Sequence, residues 1–144
     1  MTRALMLLIV AAAVSSAAGL SNACIVAFWL RLNDLRAAIN TCLLQYQSEM
    51  EKSVSNPKCN YELPAYDAAT CDPFFYNFNK CVLKSKGLLK PNNTLDDVAL
   101  QKVFLQNKCS NDANFAKAYP TCKSSTMQRL NFLRLEQCLL KAVP

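Results

Sequence analysis

The chain predicts an all-α fold, a small disulfide-stapled helical bundle of about five helices, headed by one long N-terminal helix. Three observations lead there. Apolar residues recur at alternating steps of three and four from Ile25 to Tyr46, the period of a single helix face. Only 2 glycines occur in 144 residues, too few for the Gly-rich turns of an all-β fold. The chain holds 8 cysteines and 0 histidines, and an even cysteine set in a small exported chain is the signature of a disulfide framework. With 52% apolar and 18% charged residues, the chain can bury enough surface to offset its conformational entropy, which excludes a disordered class.

At the N-terminus a basic start at Arg3, an apolar run from Ala4 to Val14 and small residues from Ser15 to Gly19 have the layout of a secretory signal peptide. The expected division is residues 1–19 as signal peptide, cleaved after Ala18 or Gly19, and 20–144 as a single α-helical disulfide-rich domain of a secreted, extracellular protein. An uncleaved anchor over Ala4 to Leu30 is the rival, disfavoured because Ser15, Ser16, Ser21 and Asn22 make its middle polar.

The first helix is predicted from Ser21 to Lys52. Its stripe is Ile25, Phe28, Leu32, Leu35, Ile39, Cys42 and Tyr46, widened by Trp29, Leu43 and Leu44, with Arg31, Asp34, Arg36, Asn40, Gln47 and Glu51 off it. Ser53, Ser55, Asn56 and Pro57 end it, and the segment to Thr70 reads as a loop. Asp72-Pro73 has the form of an N-cap followed by proline at the first helical position, and Gly87 suits the left-handed residue past the end. That gives a helix from Pro73 to Lys86 with Phe74, Phe78, Cys81 and Val82 inward. Thr94 and Asp97 resemble a capping box that opens a helix from Leu95 to about Asn107. Ser110 or Asn111 is expected to cap a short helix that stops at Tyr119 before Pro120. A last helix, capped by Ser124 or Ser125, runs through Leu140 with Met127, Leu130, Leu133 or Arg134, Gln137 or Cys138 and Lys141 along one face.

Cys24, Cys42, Cys59, Cys71, Cys81, Cys109, Cys122 and Cys138 are expected to form four bridges. No CxxC knuckle exists, so no metal site is expected. Cys24 and Cys42 stand about 27 Å apart on one helix, beyond the ~7 Å between Cα atoms that a disulfide tolerates. The predicted helices also separate Cys71 from Cys81 and Cys122 from Cys138, so the expected bridges join different helices.

Without histidine the chain lacks Ser-His and Cys-His nucleophile pairs and the usual catalytic zinc sites. Gly19 and Gly87 cannot build a phosphate loop. Asp96 and Asp97 fit the first turn of a helix better than a carboxylate pair for glycoside hydrolysis. No enzyme activity and no cofactor are expected. The chain also lacks the CxxxC of insect odorant-binding proteins and the CC and CxC elements of plant lipid-transfer proteins, so it carries no family resemblance.

The expected function is a non-catalytic binding protein for a small hydrophobic or lipid-like ligand held between helices. Phe28, Trp29, Leu32, Phe74, Phe75, Phe78, Phe104 and Tyr119 are its candidate lining. Two alternatives follow from charge. The span 20–72 carries 4 basic and 6 acidic residues, against 11 and 4 in 73–144. Lys80, Lys84, Lys86 and Lys90 could therefore bring a host-defence or toxin-like protein to an anionic membrane; the asymmetry also suits an extracellular protein ligand or inhibitor. Nucleic acid is not an expected partner. Asn92-Asn93-Thr94 is a glycosylation sequon after Pro91.

Overall fold

The computed structural model describes residues 20–60 and 63–141; the predicted signal peptide lies outside them. Six helices and no strand are found among the described residues, as an all-α bundle requires. No described helix is long and apolar enough to cross a membrane.

Helix α1 spans Asn22–Gln45. Ser21 caps it, its hydroxyl accepting from the Cys24 N–H, and Phe28, Leu35 and Cys42 of the predicted stripe are buried. Trp29, Leu43 and Leu44 do not widen that face: they are exposed. The helix also does not run unbroken to Lys52. At Tyr46 (φ −118°, ψ 28°) the backbone leaves helical geometry, and α2 resumes over Gln47–Val54. Neither proline nor glycine marks the break. Its cause is packing: the Cys42–Cys81 bridge fixes the end of α1 on α3, and the bend lays α2 along the same helix.

Helix α3 spans Ala68–Ser85, more than a turn ahead of the predicted start. Asp67, not Asp72, is the cap: its carboxylate accepts from the Thr70 N–H at 3.2 Å and the Thr70 hydroxyl at 2.7 Å. Pro73 therefore sits inside the helix. It withholds a hydrogen bond from the carbonyl of Ala69, an exposed residue that water can serve. Phe75, Phe78, Val82 and Leu83 are buried, whereas Phe74 is only partly so. Gly87 ends the element at φ 65°, as expected.

Asp72 is instead buried at the join between α3 and the C-terminal helix. Its Oδ1 accepts from the Tyr66 hydroxyl at 2.6 Å and Asn131 Nδ2 at 2.8 Å, and its Oδ2 from Arg134 at 2.9 Å. The Arg134 guanidinium lies 4.9 Å from the centre of the Tyr66 ring. Burial, then the hydrogen bond to Asp72, raises the Tyr66 pKa, so the phenol stays a neutral donor.

Helix α4 spans Asp97–Ala99 and passes into a π-helical turn, Leu100–Phe104. Asp96 caps it through Val98 and Ala99, so the expected Thr94–Asp97 box does not form. Helix α5, Ala113–Thr126, is capped by Asp112 rather than by Ser110 or Asn111. It continues through Pro120, whose missing donor faces the carbonyl of exposed Ala116. Ser124 and Ser125 cap nothing; their hydroxyls bond back to Thr121 and Cys122 carbonyls. The chain then reverses through a 3-10 turn, Met127–Arg129, and Leu130 at φ 55°. Helix α6, Phe132–Lys141, packs back on α5. It buries Phe132, Leu135, Glu136 and Leu139, not the predicted face through Gln137 and Lys141.

That reversal overturns the exclusion of Cys122 from Cys138. The two lie on different helices with Cα atoms 5.5 Å apart and are bridged. The others are Cys24–Cys109, Cys42–Cys81 and Cys59–Cys71, and no described cysteine is free. Neither Cys24 with Cys42 nor Cys71 with Cys81 is joined, in line with helix length. The main core gathers residues of α1, α3, α5 and α6, while Cys59, Cys71 and Phe75 form a smaller cluster.

Peptide mapping without reduction is expected to recover these four pairs. Removing Cys24–Cys109, with a separation of 85, should cost about 4.5 kcal/mol, against about 3 kcal/mol for Cys59–Cys71, with a separation of 12. Urea midpoints of the paired Cys→Ala variants measure the difference. Asp72→Ala should cost about 3 kcal/mol or more, because it strips a partly buried guanidinium of its partner.

Candidate functional site

The residues expected to line an internal pocket do not meet around one. Phe28 lies 6.3 Å from Phe115, which stacks on Tyr119 at 5.0 Å, and Phe104 meets Phe132 edge-on at 5.3 Å. Phe78 belongs to the same core, and Phe75 and Phe74 pack with the smaller cluster. These rings fill the space between helices. Trp29 is 59% exposed and faces out. The backbone of Leu32 lies within α1, but its side chain is outside what the structure describes.

Apolar concavities are found on the surface instead. A groove of about 540 Å³ runs beside the end of α1 and along α2, between Leu43, Leu44, Gln47, Met50, Glu51, Val54 and Ser55. A second, also about 540 Å³, is lined by Met50, Ser53, Val54, Asn56, Pro57, Cys59, Asn60, Leu63, Phe75 and Leu133. Met50 and Val54 belong to both, so the two grooves adjoin along α2. Of the eight candidate residues only Phe75 reaches them.

The polar groups of this face are largely engaged by their own neighbours. Ser53 donates to the Met50 carbonyl at 2.7 Å, Ser55 to the Glu51 carbonyl at 2.7 Å, and Gln47 to the Glu51 carboxylate at 2.8 Å. Glu51 is the one charged side chain among the lining residues. What remains for a ligand is mostly hydrocarbon and thioether. The signal for this face is weak in sequence, because Met50 lies inside the predicted first helix and Val54 beyond its end, and neither continues the stripe that closes at Tyr46.

Tyr119 opens on a different groove of about 630 Å³, with Lys90, Thr94, Leu95, Asp97, Pro120, Lys123 and Met127 among its walls. Here Asp97 accepts from Tyr119 Oη and Lys123 Nζ, both at 2.6 Å. Burial pushes the Asp97 carboxyl upward, but the bonds from Lys123 and Tyr119 outweigh it and hold the pKa below the usual value. Burial, and then the bond to Asp97, raises Tyr119. Asp97 thus ties Tyr119 and Lys123 together across this groove.

Lys80 and Lys84 line a further groove of about 450 Å³ with Gln45, Tyr46 and Asn77, and Lys80 stands 6.0 Å over Tyr76. Lys90 is on the Tyr119 groove. Of the aromatics of α3, Phe75 and Phe78 are buried while Phe74 and Tyr76 are only partly so. No cluster of metal-ligating side chains is found among the described residues.

Fold and surface define a class: an all-α, four-disulfide bundle with a filled interior and apolar grooves open to the outside. No protein-family model, no curated protein and no solved structure matches the chain.

Three buried acids among the described residues, Asp72, Asp112 and Glu136, line none of these grooves. Glu136 on α6 is 5% exposed, and burial pushes its carboxyl up to about 7. A raised carboxyl is neutral and harmless below its unfolded pKa near 4.3; the penalty grows as pH rises and is complete above about 7. Glu136→Gln is expected to raise stability by about 2 to 3 kcal/mol at pH 8 and to leave it nearly unchanged at pH 4. Denaturation midpoints at the two pH values test this.

Proposed function

We propose that this protein is a secreted, non-catalytic binding protein that carries a small hydrophobic or lipid-like ligand along α2. The observation that carries this reading is the pair of adjoining apolar grooves sharing Met50 and Val54, each about 540 Å³. Small-molecule sites have volumes of about 300–1,000 Å³ and apolar walls with few polar groups. The ligand is expected outside the packed core, because the aromatics that would have enclosed it between helices fill that space themselves. Secretion is supported by the four bridges, which persist in oxidising compartments.

Organic extraction of the purified protein followed by mass spectrometry should recover a bound lipid, and a fluorescent fatty-acid probe should bind saturably. Val54 is 84% exposed, so Val54→Asp should preserve the helical circular dichroism while placing a charge where both grooves meet. A loss of probe affinity of about tenfold or more is expected, the equivalent of about 1.4 kcal/mol. An empty extract together with no saturable binding would sink the proposal, as would unchanged binding by Val54→Asp.

A further inference from the structure

We infer that Asn92 is an N-glycosylation site, a reading that rests on the protein's entry into the secretory pathway. The sequence motif alone is short, but the fold presents it as an acceptor. Leu88 and Leu95 are buried, at 1% and 2% exposure, and anchor the two legs of a small loop. Lys90 N–H donates to the Thr94 carbonyl at 2.8 Å, and Leu89 pairs with Leu95 as an isolated antiparallel bridge. Between them Pro91, Asn92 and Asn93 form the tip. Asn93 adopts φ 60°, and its N–H bonds to the Lys90 carbonyl at 2.9 Å. An asparagine tolerates that conformation better than most side chains.

At this tip Asn92 is exposed. Its Oδ1 accepts from the Thr94 N–H at 3.1 Å and the Thr94 hydroxyl at 2.7 Å. The side chain is thus oriented by the third residue of its own sequon, while Nδ2 has no hydrogen-bond partner among the described residues. The residue is exposed, and the engaged atom of its amide is the oxygen rather than the nitrogen that takes the sugar. The co-reactant is a lipid-pyrophosphate-linked oligosaccharide. A bond forms between Asn92 Nδ2 and the first sugar's anomeric carbon, the bond from that carbon to the pyrophosphate oxygen breaks, and the lipid pyrophosphate departs. The amide nitrogen loses one proton, and no electron transfer is involved.

The attached oligosaccharide would leave the surface two residues from Lys90 and from Thr94, both on the rim of the Tyr119 groove. Its hydrated bulk would hold Lys90 away from a flat bilayer and narrow that groove. The grooves along α2 contain neither residue.

The full chain expressed in a secreting eukaryotic cell tests the assignment. The secreted product should be heavier than its polypeptide by one oligosaccharide, and amidase release should restore the polypeptide mass with Asn92 converted to aspartate. Asn92→Gln and Thr94→Ala should each abolish the added mass, whereas Thr94→Ser, which retains the hydroxyl, should keep it. Secreted protein with four bridges at bare polypeptide mass would overturn the assignment while leaving secretion intact. Protein kept inside the cell would overturn the secretory reading and the assignment with it.

Discussion

The C-terminal third of the fold depends on one buried carboxylate. Asp72 is 4% exposed, and a charge there is tolerated only with donors on both oxygens. Tyr66 arrives from the loop before α3, while Asn131 and Arg134 come from the opening of α6. Asn131 does two tasks, since its Oδ1 also accepts from the Arg134 N–H at 3.2 Å and so starts α6 beside the ion pair. The reversal between α5 and α6 must deliver these groups together, and left-handed Leu130 provides the turn. Once α6 is set in this way, Cys138 lies against Cys122, and the bridge becomes a consequence of the polar junction.

The disulfides complement that junction by acting at very different sequence ranges. Cys24–Cys109 ties the start of α1 to the turn before α5 across a separation of 85. Asp112, a few residues on, caps α5 with one oxygen and accepts from the Ser21 N–H with the other. The beginning of the described chain is thus held covalently and by hydrogen bonding to the same place, and Leu20 is buried there. Cys59–Cys71 spans only 12 and closes the loop in which the helical period is lost. Long bridges limit the unfolded chain most, and short ones shape a segment that has little core of its own.

What the sequence made legible were features decided locally. The stripe of α1 and the left-handed Gly87 follow from short-range chemistry. The helix boundaries that failed share a physical reason. Pro73 and Pro120 have the form of boundaries, but each lies within a helix where the carbonyl it deprives belongs to an exposed residue, so the penalty is small. Among alternative caps, long-range partners choose: Asp72 is claimed by Arg134 and Asp97 by Lys123, leaving Asp67 and Asp96 to cap. Such partners are not encoded in any window of sequence. The candidate site failed for a related reason, because large aromatics are the most effective core fillers. Most of the rings able to line a pocket were drawn into the core, Trp29 excepted, and the grooves along α2 went mainly to Met50, Val54, Leu63 and Leu133 with the edge of Phe75.

Cross-linking also bears on how much apolar surface the chain can show. An uncross-linked domain of this size has to offset its chain entropy by burial of apolar surface alone. Four bridges reduce the entropy of the unfolded state, so less burial is needed for the same stability. The outer face of α1 and the surface of α2 use that latitude: Val26, Trp29, Leu30, Leu44 and Val54 are all at least half exposed. Scattered apolar residues on a surface need no explanation, whereas contiguous ones beside a concavity mark a place of contact. Leu44 and Val54 meet that condition because they wall the groove along α2. Val26, Trp29 and Leu30 line none of the described grooves. Leu43 and Leu44 stand before the Tyr46 bend and Gln47, Met50 and Val54 after it, so the change of direction between α1 and α2 is what turns an apolar helix surface into a concavity.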